Sequence, residues 1–285
     1  MMGRTMLFGA VAAGVLVCAG VGVYLMRGGG EGGLVRVGTI SHGEIKESSG
    51  IVGSRQHEGV FWTHNDKGNA PLVFAIGRDG KFIGEFRLAT KNADWEDIAA
   101  DGEGNLYLAM TGNNDGKRKE VEVARFEEPD PQGKGKRSKA LRIREMTTWR
   151  LRYPGKPFDA ESLFIHGGYG HIISKESDGR APTMYRFSLV ETEEAVTLER
   201  VGTIPVRTPV TGAAISEDGT TLAVLSRGAL DVFRIDGDVA AAGTRRPMHF
   251  SLPDLQFEGC CFTGEGILMS AESRELYLLP VASFR

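Results

Sequence analysis

From residue 34 onward, short apolar β-rich runs alternate with turns rich in Gly, Asp and Glu, and helical periodicity is nearly absent. Five stretches open alike, with a hydroxyl or carboxylate, a small or polar residue, then an apolar strand. They are Ser49-Gly50-Ile51-Val52, Glu96-Asp97-Ile98-Ala99, Glu161-Ser162-Leu163-Phe164, Thr211-Gly212-Ala213-Ala214 and Glu258-Gly259-Cys260-Cys261, with starts 47, 65, 50 and 47 residues apart. Four-stranded propeller blades have about this period. Second strands are predicted over 60–64, 106–111, 171–175, 222–226 and 267–271, and third strands over 72–77, 120–126, 183–189, 230–235 and 275–281. Fourth strands fall at 82–88, 141–153, 198–206 and, weakly, 249–252.

No fourth strand follows residue 281. The segment Leu34-Val35-Arg36-Val37-Gly38-Thr39-Ile40 supplies it, because it repeats as Leu198-Glu199-Arg200-Val201-Gly202-Thr203-Ile204, itself a fourth strand. Closing the ring this way removes the open edges of a sheet. The pattern predicts an all-β, five-bladed β-propeller over 34–285, closed by its N-terminal strand, with a β-sandwich or two domains as the alternative. The long second period holds the charged stretch 127–139, expected as a solvated hairpin.

Residues 6–26 carry no charge and lie between Arg4 and Arg27. Twenty-one residues at helical rise cross a hydrocarbon core of roughly 30 Å. Apolarity runs to Met26 with no clear cleavage site, so 1–27 reads as an uncleaved signal anchor forming one transmembrane helix; a cleaved signal and secretion are the alternative. Residues 28–33 then form a Gly-rich linker. The expectation is a propeller on the extracytoplasmic side of the cytoplasmic membrane, held by a single pass.

Composition narrows the partners. Lys and Arg total 34 against 37 Asp and Glu, a net charge of −3, which argues against nucleic acid. Apolar residues make up 41% of the chain, so disorder is excluded. Three cysteines build no disulfide framework; Cys260 and Cys261 are expected as small buried residues on opposite faces of a strand. Glycine, at 39 residues, suits many tight turns.

In a propeller blade the starts of first strands and the ends of second strands share one face. The starts place Ser49, Glu96, Glu161, Thr211 and Glu258 there, with Asp94, Asp97 and Asp159 beside them. The ends add His64, Asn65, Asp66, Asn113, Asn114, Lys175, Arg227 and Glu272. Carboxylates converging on an axis repel unless a cation offsets them, and a set of hard oxygens suits calcium. The five axial residues are the candidate metal ligands, and a water-filled channel is the alternative. Asn65, Asp66, Asp94, Asn113, Asn114, Asp159 and Glu272 are candidate ligand-binding residues. His64 is a candidate base, and Lys175 and Arg227 are candidates for holding an anion. Trp62 and Trp95 are expected to pack between blades. No recognised nucleophile, phosphate-loop or metalloprotease motif is present.

The strings Trp62-x-His64-Asn65-Asp66-x-Gly68, Asp94-Trp95-Glu96-Asp97-Ile98-Ala99, Gly112-Asn113-Asn114, Asp159-Ala160-Glu161 and Val210-Thr211-Gly212 resemble a group of exported bacterial propeller proteins over nearly all of 34–285. More distantly, the Ser/Glu/Glu/Thr/Glu series is similar to the axial calcium ligands of calcium-activated apyrases, five-bladed propellers that hydrolyse nucleoside di- and triphosphates. That family has serine where Thr211 stands. The resemblance implies calcium at Ser49, Glu96, Glu161, Thr211 and Glu258.

Two functions follow as expectations. One is a monomeric, membrane-tethered, calcium-binding interaction module for a protein, glycan or small anionic ligand. The other is a calcium-dependent hydrolase of phosphoesters, nucleotides or lactones on the acidic face.

Overall fold

The computed structural model describes residues 33–133 and 141–284, and before them only a two-residue strand, Val23–Tyr24. Five sheets make up the described chain. Blade 1 comprises Ser48–Gly53, Val60–Asn65, Leu72–Gly77 and Phe82–Leu88. Blade 2 comprises Asp97–Ala100, Asn105–Met110, Glu120–Glu127 and Thr147–Arg152. Blade 3 runs through Phe164–His166, Tyr169–Ile173, Thr183–Ser188 and Glu199–Thr203, and blade 4 through Val210–Ile215, Thr221–Ser226, Ala229–Arg234 and Met248–Ser251. Blade 5 takes Phe257–Thr263, Gly266–Ala271 and Glu275–Pro280 from the end of the chain and Leu34–Thr39 from its beginning. Each innermost strand touches the next, and the fifth touches the first, so the ring is closed. The chain is a five-bladed β-propeller.

Alternation explains how apolar strands build it. On Asn105–Met110, Leu106, Leu108 and Met110 face blade 1 while Tyr107 and Ala109 face blade 3. Both faces of the sheet are buried, so the strand reads as one apolar run. Five apolar clusters result, one at each interface between neighbouring blades. Trp62 and Trp95 share the cluster between blades 1 and 2, and Cys260 and Cys261 face opposite neighbours, as expected.

The closing strand pairs antiparallel with Glu275–Pro280, Val35 opposite Leu278. The literal sequence repeat is a structural one. Between Arg36 and Gly38 the register shifts, leaving Val37 as an extra residue, and between Arg200 and Gly202 it shifts likewise at Val201. Gly38 is needed there because a Cβ would overlap the Asp79 carbonyl.

Two expectations change. The span 141–153 is not one strand: Thr147–Arg152 is the outer strand of blade 2, whereas Leu141–Ile143 adds parallel to the outer strand of blade 1. The strand expected over 198–206 is present as Glu199–Thr203 in blade 3, and just before it Val196–Thr197 adds parallel to Thr147–Arg152. An outer strand offers a row of unpaired backbone groups, and the passing chain satisfies part of it. The described part of 127–139 is not simply solvated: Glu128 is 5% exposed and its Oε1 accepts the Trp62 indole N–H at 2.6 Å. Residues 134–140 lie outside the described residues, as do the expected anchor (1–27), Val23–Tyr24 apart, and all of the linker (28–33) but Gly33. Among the described residues no helix is long and apolar enough to cross a membrane.

Candidate functional site

The five axial residues share a backbone peculiarity. In blade 1 Ser48 pairs with Asn65 and Gly50 with His64, so Ser49 is an extra residue. Thr211 is extra between Val210 and Gly212, and Glu258 between Phe257 and Gly259. In blade 3 Ala160 bridges Ser174 and Phe164 pairs with His171, leaving three residues against two, Glu161 among them. In blade 2 the Glu96 N–H donates to the Ala109 carbonyl at 2.9 Å while Asp97 is paired with the same residue. A bulge releases its residue from the in-out alternation and re-aims the side chain. Each blade thus carries one bulge at the axial position.

The residues that follow close the channel. Gly50, Gly212 and Gly259 lie at closely approaching backbones; a Cβ on Gly259 would meet the Gly50 backbone at 2.8 Å. Asp97, 1% exposed, accepts backbone N–H groups from Ile98 and from Leu163 of blade 3, both at 2.8 Å. It also bonds the Ala213 backbone of blade 4, and burial nevertheless raises its pKa well above the ordinary value. Asp97 is a plug beneath the axial layer.

Above it lies a cavity of about 230 Å³, lined by Ser49, Asp66, Glu96, Asn114, Glu161, Lys175, Glu258 and Glu272 with Glu47, Ser48 and Gln256. Six carboxylates and a single lysine therefore share one small space. The Lys175 ammonium contacts Glu161 and lies 3.6 Å from Asp159. Burial acts to lower the Lys175 pKa, but Glu161, Asp159 and Glu96 together raise it. One ammonium does not neutralise the set. Burial, then Glu161, Asp66, Asp159 and Asp94, drive the Glu96 carboxyl strongly upward. Glu161 is raised by burial against the pull of Lys175, and Glu258 is pushed up to about 8 by burial and then by Glu161.

Asp94, beside the cavity-lining Asp66 and Glu96, adopts a left-handed backbone, φ 74°. Among the described residues, the carboxylates that come within 4.8 Å of one another are Asp66, Asp94 and Glu96. Lys67 Nζ pairs with Asp94 Oδ1 at 3.0 Å. Gly112 makes the room: a Cβ there would overlap Glu96 Oε1 and the Asp94 carboxyl. The tightest arrangement of hard oxygens thus lies on the side of blades 1 and 2 rather than centred on the axis. The Ser49 hydroxyl donates to the Glu96 carbonyl at 3.2 Å and the Thr211 hydroxyl to the Phe257 carbonyl at 2.7 Å, each stitching one blade to the next.

The remaining sequence-predicted residues are elsewhere. His64 is fully buried, edge-on to Trp95 with ring centroids 5.8 Å apart, and burial lowers its pKa to about 4. It does not line the cavity, and the base expected of it has no access to a ligand there. The period-two position of His64 relative to Trp62 already put it on the packed face. Asn65 holds the 44–47 turn through Lys46 N, Glu47 N and the Glu44 carbonyl. Asn113 is fixed by Tyr153, Arg118 and, through its backbone N–H, Asp159. Arg227 lines a separate cleft with Arg180 and Arg207. A larger cavity, about 620 Å³, opens on the opposite face between turns, with Arg55 paired to Glu217 at 3.3 Å, and gathers none of the axial residues.

No family model and no curated protein matches the sequence. Solved structures similar to the chain include a gluconolactonase from Xanthomonas campestris, at 15% identity over 88% of this chain and 90% of that one, TM-score 0.48. A virginiamycin B lyase from Staphylococcus aureus is 14% identical over 81% of this chain, TM-score 0.43, and the chain spans 65% of that protein's length. A chain of a nidogen–laminin complex is 10% identical, covering 90% and 93% of the two chains, TM-score 0.44. The assignment of the fold rests on the five sheets themselves, and that of the site on its residues.

Proposed function

We propose that this propeller is a calcium-binding interaction module, carried outside the cytoplasmic membrane by its apolar N-terminal segment. The observation that carries the reading is the cavity at one end of the channel, where Ser49, Glu96, Glu161 and Glu258 from four blades meet and six carboxylates face one lysine. Asp66, Asp94 and Glu96 would supply the first oxygens, with Ser49, Glu161 and Glu258 lining the same cavity; Thr211, bonded to the Phe257 carbonyl, is not among its lining residues. Calcium accepts six to eight such ligands, with carbonyls and water completing the shell. A bound divalent ion would offset the burial and mutual repulsion that raise the pKa of Glu96, Glu161 and Glu258. The resemblance to exported bacterial propellers belongs to this reading, and the ion-bearing face would meet the protein, glycan or small anionic ligand.

The test is a melting curve of the protein with calcium and with a chelator. Calcium bound to the folded state alone raises the melting temperature by mass action. The rise is expected in the wild type and lost in Glu96→Gln; an unchanged curve removes calcium from the account. A calcium-dependent hydrolase is the second reading, favoured by Lys175 standing among the acidic residues of the same cavity, where an ammonium beside a bound ion would hold an anionic substrate. Chelator-sensitive turnover of a phosphoester, nucleotide or lactone would establish it.

A further inference from the structure

We propose that the cleft between blades 3 and 4 is an oxyanion-binding site, built for a phosphate ester or carboxylate and separate from the acidic cavity. It opens on the same face as a shallow, open cleft lined by Gly179, Arg180, Ala181, Val206, Arg207, Thr208 and Arg227. Three short segments form its walls: the turn after Ser174, the link into blade 4, and the turn after Ser226. Backbone bonds fix them to one another. Val210 N–H donates to the Lys175 carbonyl at 2.9 Å, Ile204 N–H to that of Pro182 at 3.0 Å and Arg227 N–H to that of Pro209 at 3.1 Å. The arginines therefore project from braced backbone rather than from long loops.

Their charge is largely uncompensated. Arg180 pairs with Glu176 at 2.9 Å and Asp178 at 2.8 Å. Among the described residues neither Arg207 nor Arg227 forms an ion pair. Asp231 acts on Arg207 through space, but its carboxylate is bonded to His249 Nδ1 at 2.7 Å. Two free guanidiniums and a third already oriented by carboxylates present planar donor forks, the geometry that phosphate and carboxylate groups accept in pairs.

Lys175 and Glu176 form the ridge between the two sites. Lys175 turns to the acidic cavity, while Glu176, with φ 50°, turns its carboxylate to Arg180. Adjacent residues thus serve opposite charges, keeping an anion in the cleft away from the carboxylates.

Titration calorimetry of the full-length protein in chelator, at constant ionic strength, tests the proposal with inorganic phosphate, pyrophosphate and citrate as probes. Saturable binding at one site is expected, weakened about tenfold or more in Arg207→Gln and in Arg227→Gln. Both arginines are exposed, so the melting temperature of each variant should match the wild type and report intact folding. Preference for the phosphates or for citrate assigns the ligand's anionic group. Glu96→Gln should leave binding unchanged, whether or not calcium is ever bound at the channel. Absence of saturable binding, or binding undiminished in both arginine variants, overturns the proposal.

Discussion

Gly112 and Glu96 are complementary: the missing side chain of one is the space occupied by the carboxyl of the other, and Asp94 borders the same gap. Gly112 has no positive φ, so the position needs glycine for room and not for backbone conformation. Gly112→Ala should leave the ring assembled and displace Glu96 and Asp94. Overpacking of this kind costs roughly 1–3 kcal/mol. The calcium-dependent rise in melting temperature should be reduced or lost, and a full rise would show that these carboxylates do not hold the ion.

The pH dependence follows from Glu258. Its carboxyl moves from an ordinary 4.5 to about 8 on folding, so folding favours the protonated form. That contribution is complete below the ordinary carboxyl range and is lost as pH rises through about 8. Without calcium the melting temperature should fall from about pH 5 to about pH 8, with Glu96 and Glu161 acting in the same direction. Calcium should bind more tightly as pH rises and should release protons on binding. Calorimetry in buffers of different ionisation enthalpy measures that release; binding without it would contradict the site.

Closure by the N-terminal strand gives a third expectation. Protein lacking residues 1–32 retains Leu34–Thr39 and should melt cooperatively. Protein lacking 1–40 leaves Glu275–Pro280 with a bare edge and removes Leu34 and Ile40 from the clusters flanking blade 5. It should associate or lose its cooperative transition, as judged by light scattering and circular dichroism. A monomeric, cooperatively folded shorter form would contradict this role.

Much of the ring was legible in the sequence because both faces of a blade are buried. The spans 72–77 and 82–88 match their strands end to end, since their apolar runs stop at turns. The axial series was legible because each bulge pairs an oxygen-bearing residue with a small or polar one: Ser49-Gly50, Thr211-Gly212 and Glu258-Gly259 keep the channel backbones close. What escaped depends on distant parts of the chain. Leu141–Ile143 and Val196–Thr197 join the preceding blade through parallel pairing, for which local alternation carries no signal. Arg227 was grouped with Lys175 because both end second strands, yet its neighbours in space are Arg180 and Arg207. The grouping of Asp66 and Asp94 with Glu96 depends on a left-handed turn and on the opening at Gly112.

The bulges also separate scaffold from chemistry. The apolar clusters wedge the sheets, while Glu96, Glu161 and Glu258 line the cavity; Ser49 and Thr211 also tie neighbouring blades through their hydroxyls. The ring thus resembles a lock in which the three glutamates are pins set into a cylinder built by other residues.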